Sequence, residues 1–297
     1  MVLVIGGTGD LGGRVARALR ERGETVQCLV RPGRDDAQLR DRGLVPVPGD
    51  LTDPASLVLA CPPGGTVVVT ATAIGRKLGG ERGTSLRAVD RFGVLDLVDA
   101  AERADVSRFV YVSFAGIERA QLDFPLERAK RAVEERLRHT GMRSVIVRPD
   151  VFQEVHLGPV GRFDVAAGRV AVIGTGDNPR RWVATEDVAA LIAAAATEPE
   201  PPAVVEFGGP EALTRNEAIV VAEELTGRTF RRQRLPRQAA RVAMRLLDRP
   251  NDAMASVIGI GLHMDLVTAD WDDAPLRQRG VAPRSASAFI RGQARAG

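Results

Sequence analysis

Gly6-Gly7-Thr8-Gly9-Asp10-Leu11-Gly12 has the make-up of a phosphate cradle: it satisfies G-x-x-G-x-x-G at Gly6, Gly9 and Gly12, and G-x-G-x-x-G at Gly7, Gly9 and Gly12. Glycines at these spacings permit a tight turn, let the main chain approach a pyrophosphate, and let a helix pack close to a strand. The free N–H groups and positive dipole end of that helix then face the phosphates. The flanking residues supply the required context. Val2-Leu3-Val4-Ile5 reads as a buried strand, and Val15, Ala18 and Leu19 mark the apolar face of a following helix. A dinucleotide is the expected ligand, with Gly6, Thr8, Gly9, Asp10, Leu11 and Gly12 around its pyrophosphate.

About 20 positions beyond such a turn, NAD-selective sites carry an acidic residue that bonds the ribose 2′-hydroxyl. Here the second strand, Val26-Gln27-Cys28-Leu29-Val30, ends in Arg31, followed by Pro32-Gly33-Arg34. Arginine at that place can pair with a 2′-phosphate by charge-assisted hydrogen bonds, so NADP(H) is expected in preference to NAD(H); a solvated loop arginine is the alternative. After the third strand, Asp50-Leu51-Thr52-Asp53 offers Asp50 and Leu51 to the adenine, while Asp53 can equally cap the helix that starts at Pro54.

These residues need a parallel sheet to position them. Apolar segments at 2–5, 25–30, 44–47, 66–70, 107–113 and 143–148 read as strands, separated by helical patterns at 10–22, 35–42, 54–60, 84–104 and 125–140. That alternation specifies βαβ units and a doubly wound, Rossmann-type α/β fold. Arg148-Pro149 ends the rhythm, 151–181 reads as irregular with a strand near 170–173, and 182–207 returns to the sheet. From Gly208 onward the pattern is helical, near 214–226, 236–248, 252–262 and 285–295. The expected organisation is an NAD(P)-binding core over 1–150, completed by about 182–207. A smaller, mainly helical C-terminal substrate lobe would comprise 151–181 and 208–297, with a ligand cleft between the two.

Composition narrows the class further. Cys28 and Cys61 fit neither a disulfide framework nor a metal spacing, and His139, His156 and His263 form no paired ligand motif, so no metal is expected. No apolar run reaches membrane-spanning length and no leader is evident, so a cytoplasmic protein is expected. The formal net charge of +3 gives no case for nucleic acid. Of the 41 basic side chains only Lys77 and Lys130 are lysines, and that bias, with abundant Ala, Gly and Pro, marks a GC-rich bacterial genome. An ammonium can shift its pKa where a guanidinium cannot, so each retained lysine is a candidate for chemistry, chance retention being the alternative. Arg237, Arg241, Arg245 and Arg249 recur at every fourth residue, on one helix face, with Ala240, Ala243, Leu246 and Leu247 mostly on the other. Such a face is either solvated or offered to an anionic ligand or a protein partner.

The glycine turn, Gly49-Asp50-Leu51-Thr52-Asp53, Ala88-Val89-Asp90-Arg91-Phe92-Gly93 and Arg108-Phe109-Val110-Tyr111-Val112-Ser113 together resemble one family. Lys130 with Glu134, Val147-Arg148-Pro149-Asp150-Val151-Phe152, Asp187-Val188-Ala189 and Phe207-Gly208-Gly209-Pro210 extend the likeness over nearly the whole chain. It is similar to the NmrA-like atypical short-chain dehydrogenases/reductases. The resemblance implies that Ala71, Thr72 and Ala73 line the loop after the fourth strand. It also implies that Ser113, Lys130, Pro149 and Phe152 contact the cofactor, and that Phe152, Gln153 and His156 face the nicotinamide.

The wider superfamily uses a tyrosine four residues before its lysine as general acid/base. In this chain that position is Leu126, and the single tyrosine, Tyr111, lies inside an apolar strand. The resemblance therefore implies a reductase without the Tyr–Lys pair. Hydride would go to a small quinone, enone or aromatic carbonyl-type acceptor that needs little acid help. Lys130 either protonates the substrate or only holds the ribose, and His156 is a second candidate donor. Phe114, Phe163 and Trp182 suit stacking on an aromatic substrate, with core packing as the alternative. A non-catalytic NADP(H)-binding redox sensor is the alternative function.

Overall fold

The computed structural model describes residues 1–81 and 83–296. Its strands are β1 (Val2–Ile5), β2 (Val26–Val30), β3 (Val45–Pro48), β4 (Thr66–Val69), β5 (Arg108–Val112), β6 (Arg143–Pro149), β7 (Phe163–Asp164), β8 (Arg169–Ile173), β9 (Val204–Phe207) and β10 (Arg231–Leu235). The helices begin with α1 (Asp10–Glu21), α2 (Ala37–Asp41), α3 (Pro54–Ala60), α4 (Ile74–Leu78), α5 (Val94–Arg103), α6 (Ile117–Ala120) and α7 (Pro125–Arg138). They continue with α8 (Gln153–His156), α9 (Thr185–Thr197), α10 (Arg215–Thr226), α11 (Arg237–Leu247), α12 (Asp252–Leu266), α13 (Ala274–Arg277) and α14 (Ala286–Ala296). A π-helical stretch, Arg87–Gly93, runs directly into α5.

Seven strands form one parallel sheet in the order β3-β2-β1-β4-β5-β6-β9. This is the expected Rossmann-type α/β architecture with a helical C-terminal part. The chain winds outward from β1 to β3 and then crosses back to β4. The topological switch point, where such sheets bind ligands, therefore lies beyond the carboxyl ends of β1 and β4. β1 (VLVI) is buried at every position, as a central strand covered on both faces must be. β3 (VPVP) carries two prolines, which an edge strand tolerates because one flank needs no ladder bond. Among the described residues no helix is long and apolar enough to cross a membrane.

The chain divides into two compact units. One comprises Met1–Ser113, Pro125–Val147 and Ala189–Val205; the other comprises Phe114–Phe124, Arg148–Val188 and Glu206–Gly297. The second has its own core, in which Phe163, Trp182, Val170, Val172, Ile219 and Phe230 pack together. It also has a small sheet, β10-β8-β7. β10 (RRQRL) is an exposed strand that pairs in parallel with β8.

Two features of the arginine-rich segment depart from expectation. α11 ends at Leu247, so Arg249 lies beyond the helix, and Arg237 is ion-paired with Asp265 at 2.5 Å. Leu246 is 72% exposed; the buried face of α11 is Ala240 and Met244 instead.

Candidate active site

In the first unit the glycine turn joins β1 to α1 at the switch point. Gly6 has φ +96°, a conformation that L side chains rarely adopt, and a Cβ there would meet Thr70 Oγ1 at 2.8 Å and Ala71 N at 2.9 Å. A Cβ on Gly12 would collide with the Gly6 carbonyl and lie 2.6 Å from Thr70 Oγ1. Two glycines therefore let α1 start directly against the ends of β1 and β4. Gly9, the N-cap of α1, supplies no capping side chain. The first N–H groups of the helix are thus left for an anion, at the positive end of the dipole. Thr8 and Gly9 are exposed, and the Asp10 carboxylate turns aside to Arg14 at 2.8 Å. The cradle fits a pyrophosphate.

Arg31 follows β2 and donates to Glu81 Oε1 at 2.9 Å, so the arginine already holds an anionic oxygen. Asp50 is half-buried, and its Oδ1 accepts from both N and Oγ1 of Thr52 at 2.8 Å. One oxygen of the expected adenine contact thus serves a local turn. Leu51 is buried against the Gly93 backbone. In the loop after β4, Ala71 is half-buried and Thr72 exposed, while Ala73 N donates to Asp90 Oδ2 at 2.9 Å.

Lys130 lies on α7 in a buried polar cluster. Its Nζ donates to the Val112 carbonyl at 2.7 Å and sits 4.6 Å from the centre of the Tyr111 ring. Burial pulls the ammonium below its ordinary pKa, while the charges of Asp90 and Glu134 push it back up. Asp90, on the π-helical stretch, is raised by burial, against the opposing charge of Lys130. Tyr111 is 1% exposed, and burial raises its phenol far above the usual range. Asp90 Oδ1, the Tyr111 hydroxyl and Ser113 Oγ have no hydrogen-bond partner among the described residues. Leu126, in the superfamily's tyrosine position, is buried. The unit thus has a buried lysine among acidic neighbours and no accessible phenol.

The second unit carries the residues expected to face the substrate, and the structure separates them. Phe114 is half-buried, stacked on Phe124 at 6.2 Å and edge-on to His263 at 5.1 Å. Pro149 closes β6, and Phe152 caps α8 and bridges to Val183. Gln153 is buried, with its Oε1 unpartnered among the described residues. Phe163 and Trp182 are fully buried, and the indole N–H of Trp182 is committed to the Leu213 carbonyl at 2.7 Å. Both are core residues, which corrects the expectation that they stack on a ligand. For half-buried His156, desolvation with the charges of Arg215 and Arg180 lowers the pKa to about 3.

A buried cluster in this unit escaped the sequence reading. Asp150 accepts from Arg180 Nε at 3.1 Å, Arg181 N at 2.9 Å and Trp271 Nε1 at 3.0 Å. Arg180 also donates to the Val267 carbonyl at 2.6 Å. His263 meets the Ala115 carbonyl through Nε2 at 2.9 Å and is held neutral, at about 4, mainly by burial. These partners come from distant segments, and no local spacing announces them. In the first unit a concavity of about 740 Å³, lined by Glu24, Arg108 and Arg143 among others, opens at the amino-terminal ends of the strands. That is the end of the sheet opposite the glycine turn.

Residues 6–199 match the family described as NAD(P)H-binding, and the chain belongs to it. A photosystem II assembly factor, Ycf39 of Synechocystis sp., is 30% identical over 79% of this chain and 70% of its own length. The NAD(P)H azoreductase of Xenophilus azovorans is 26% identical over the whole of this chain and 99% of its own. The chain spans only 60% of the chloroplast protein High Chlorophyll Fluorescence Phenotype 244 of Arabidopsis thaliana, which is 28% identical over 82% of this chain. Among solved structures, the NADPH complex of an NADPH-dependent quinone oxidoreductase from Escherichia coli shares the fold. The TM-score is 0.76 and the identity 19%, over 98% of this chain and 99% of that one.

Proposed function

We propose that the chain is an NADPH-dependent reductase that delivers hydride to a quinone, enone or related aromatic acceptor without a tyrosine acid. The observation that carries the reading is Tyr111, the only tyrosine, sealed beneath Lys130 with Leu126 in the superfamily's tyrosine position. A site without an accessible phenol favours acceptors whose reduction develops little basicity. The azoreductase and quinone oxidoreductase relatives support that substrate class. When bound, NADPH supplies the hydride. Gly6, Thr8, Gly9, Asp10, Leu11 and Gly12 would hold its pyrophosphate, and Arg31 its 2′-phosphate. Asp50, Leu51 and Ala71 to Ala73 would frame the adenosine side, and Ser113 the nicotinamide side. Lys130 Nζ, with donor capacity beyond its bond to Val112, would bind the ribose and could pass a proton. Two buried free thiols, Cys28 and Cys61, raised by burial to about 11, favour a reducing cytoplasm.

Cofactor choice is tested by titrating Arg31→Ala with NADPH and NADH. Losing a charge-assisted bond worth about 1.5–3 kcal/mol should weaken NADPH by about 10- to 150-fold and leave NADH unchanged. Unchanged affinity for both would return Arg31 to the role of a surface arginine.

The Ycf39 relative favours a second reading: an NADP(H)-binding regulatory protein without turnover, which could use the exposed Arg241 and Arg245 toward a partner. It requires different affinities for oxidised and reduced cofactor, because a ligand pair without differential affinity shifts no equilibrium. Equal dissociation constants for NADP⁺ and NADPH would remove it.

A further inference from the structure

Three guanidinium groups converge on one carboxylate beside the ends of β2 and β4. Glu81 Oε1 accepts from Arg31 at 2.9 Å, from Arg76 at 3.2 Å and from Thr84 Oγ1 at 3.3 Å, while Oε2 accepts from Arg34 at 3.3 Å. The hydrogen bond from Arg31, helped by the charges of Arg31 and Arg76, holds the Glu81 carboxyl at about 2, against the opposing effect of burial. Three cations around one anion leave a local surplus of positive charge. None of the four side chains is sealed, their exposures being 32%, 57%, 29% and 27% for Arg31, Arg34, Arg76 and Glu81. A structural ion pair needs one guanidinium. Three of them, in solvent reach, match an anion of higher charge with more acceptor oxygens.

A phosphate monoester is such an anion, with a charge of about −1.5 to −2 and three acceptor oxygens. We propose that Glu81 occupies the place of the cofactor's 2′-phosphate, that Arg76 joins Arg31 and Arg34 in reading that phosphate, and that displacement of Glu81 helps set the preference for NADP(H). The inference rests on NADP(H) being the cofactor. In the exchange the phosphate takes over the guanidinium hydrogen bonds and Glu81 returns to water. The neutral 2′-hydroxyl of NAD(H) brings no charge to drive that exchange. Arg76 escaped the sequence reading because α4 follows a different strand from Arg31.

The test titrates the wild type, Glu81→Gln, Arg76→Ala and Arg31→Ala with NADPH and NADH at one ionic strength. All three positions are solvent-accessible, and circular dichroism verifies that each variant is folded. Glu81→Gln keeps the side-chain shape and removes the charge. It should tighten NADPH by about 2- to 5-fold and leave NADH unchanged, on the scale of partly exposed ion pairs. Arg76→Ala should weaken NADPH by about 2- to 5-fold on the same scale, without effect on NADH. If Glu81→Gln leaves NADPH unchanged or weaker while Arg31→Ala still costs NADPH affinity, competition by Glu81 is overturned and the cofactor reading stands. If Arg76→Ala alone has no effect, its part in the site is overturned. If all three variants keep the wild-type ratio of NADPH to NADH affinity, the cofactor reading fails together with the proposal.

Discussion

Gly12 and Gly13 are neighbours in the first turn of α1, yet alanine should cost very different amounts at the two. An alanine in a helix interior is better than glycine by about 0.8–1 kcal/mol. At Gly13 the new Cβ would meet Arg42 Nη1 at an ordinary 3.8 Å and the Gly7 carbonyl at 3.3 Å, a tight contact that asks the turn to give by a few tenths of an ångström and offsets that gain. At Gly12 the Cβ would collide with the Gly6 carbonyl and lie 2.6 Å from Thr70 Oγ1, inside the 3.4 Å at which ordinary contact begins. The carbonyl belongs to the turn itself and cannot rotate away, so α1 must shift by about an ångström. Overpacking of this kind costs about 1–3 kcal/mol. The blocking atom is backbone, which puts the cost in the upper half of that range and leaves a net loss of about 1–2 kcal/mol. Thermal melts should show Gly12→Ala lower by about 2–8 °C and Gly13→Ala close to the wild type. The same shift lengthens the hydrogen bonds that the helix N-terminus would make to a pyrophosphate. NADPH and NADH should therefore weaken alike, by about tenfold or more. A Gly12→Ala protein that melts and binds like the wild type would refute both the close approach of α1 to β1 and the assignment of the cradle.

Further outcomes follow from the buried charges. Arg180→Ala leaves Asp150 buried without its cation and should cost about 3–5 kcal/mol in urea unfolding, part of which Asp150→Asn restores in the double variant. Equal stability of Arg180→Ala and wild type would show that the pair reaches solvent. His156 and His263 are held at about 3 and about 4, below their ordinary 6.5. The unfolded chain binds protons near that value which the native state refuses. Stability is then full above it and falls on acidification by about 1.4 kcal/mol per pH unit for each histidine. Melts from about pH 7 to about pH 5 measure this slope, and His263→Gln should remove about half of the histidine contribution; a profile unchanged by that substitution would contradict its burial in the neutral form.

The parallel sheet was legible because each of its strands is an apolar run bounded by turn residues, and the glycine turn fixed where the first helix begins. β10 was not, because Arg231-Arg232-Gln233-Arg234 has no apolar alternation; its pairing with β8 supplies what the pattern lacks. The π-helical stretch at Arg87–Gly93 merges with α5 in periodicity and becomes visible only in its hydrogen bonding. Aromatic type alone could not separate Phe163 and Trp182, which pack in the core, from the half-buried Phe114. Asp150 with Arg180 and Trp271, and Arg31 with Glu81, are pairings of distant segments, for which a single sequence has no periodic signal.

The most direct test of the account is an anaerobic single-turnover measurement. NADPH-loaded protein is mixed with a naphthoquinone, and the loss of reduced nicotinamide is followed spectroscopically, with NADH in parallel. The account predicts protein-dependent oxidation of NADPH, slower or weaker-binding with NADH, and persisting when Tyr111 is replaced by Phe in a folded variant. Tight binding of NADPH with no oxidation by quinones, enones or azo dyes would contradict it.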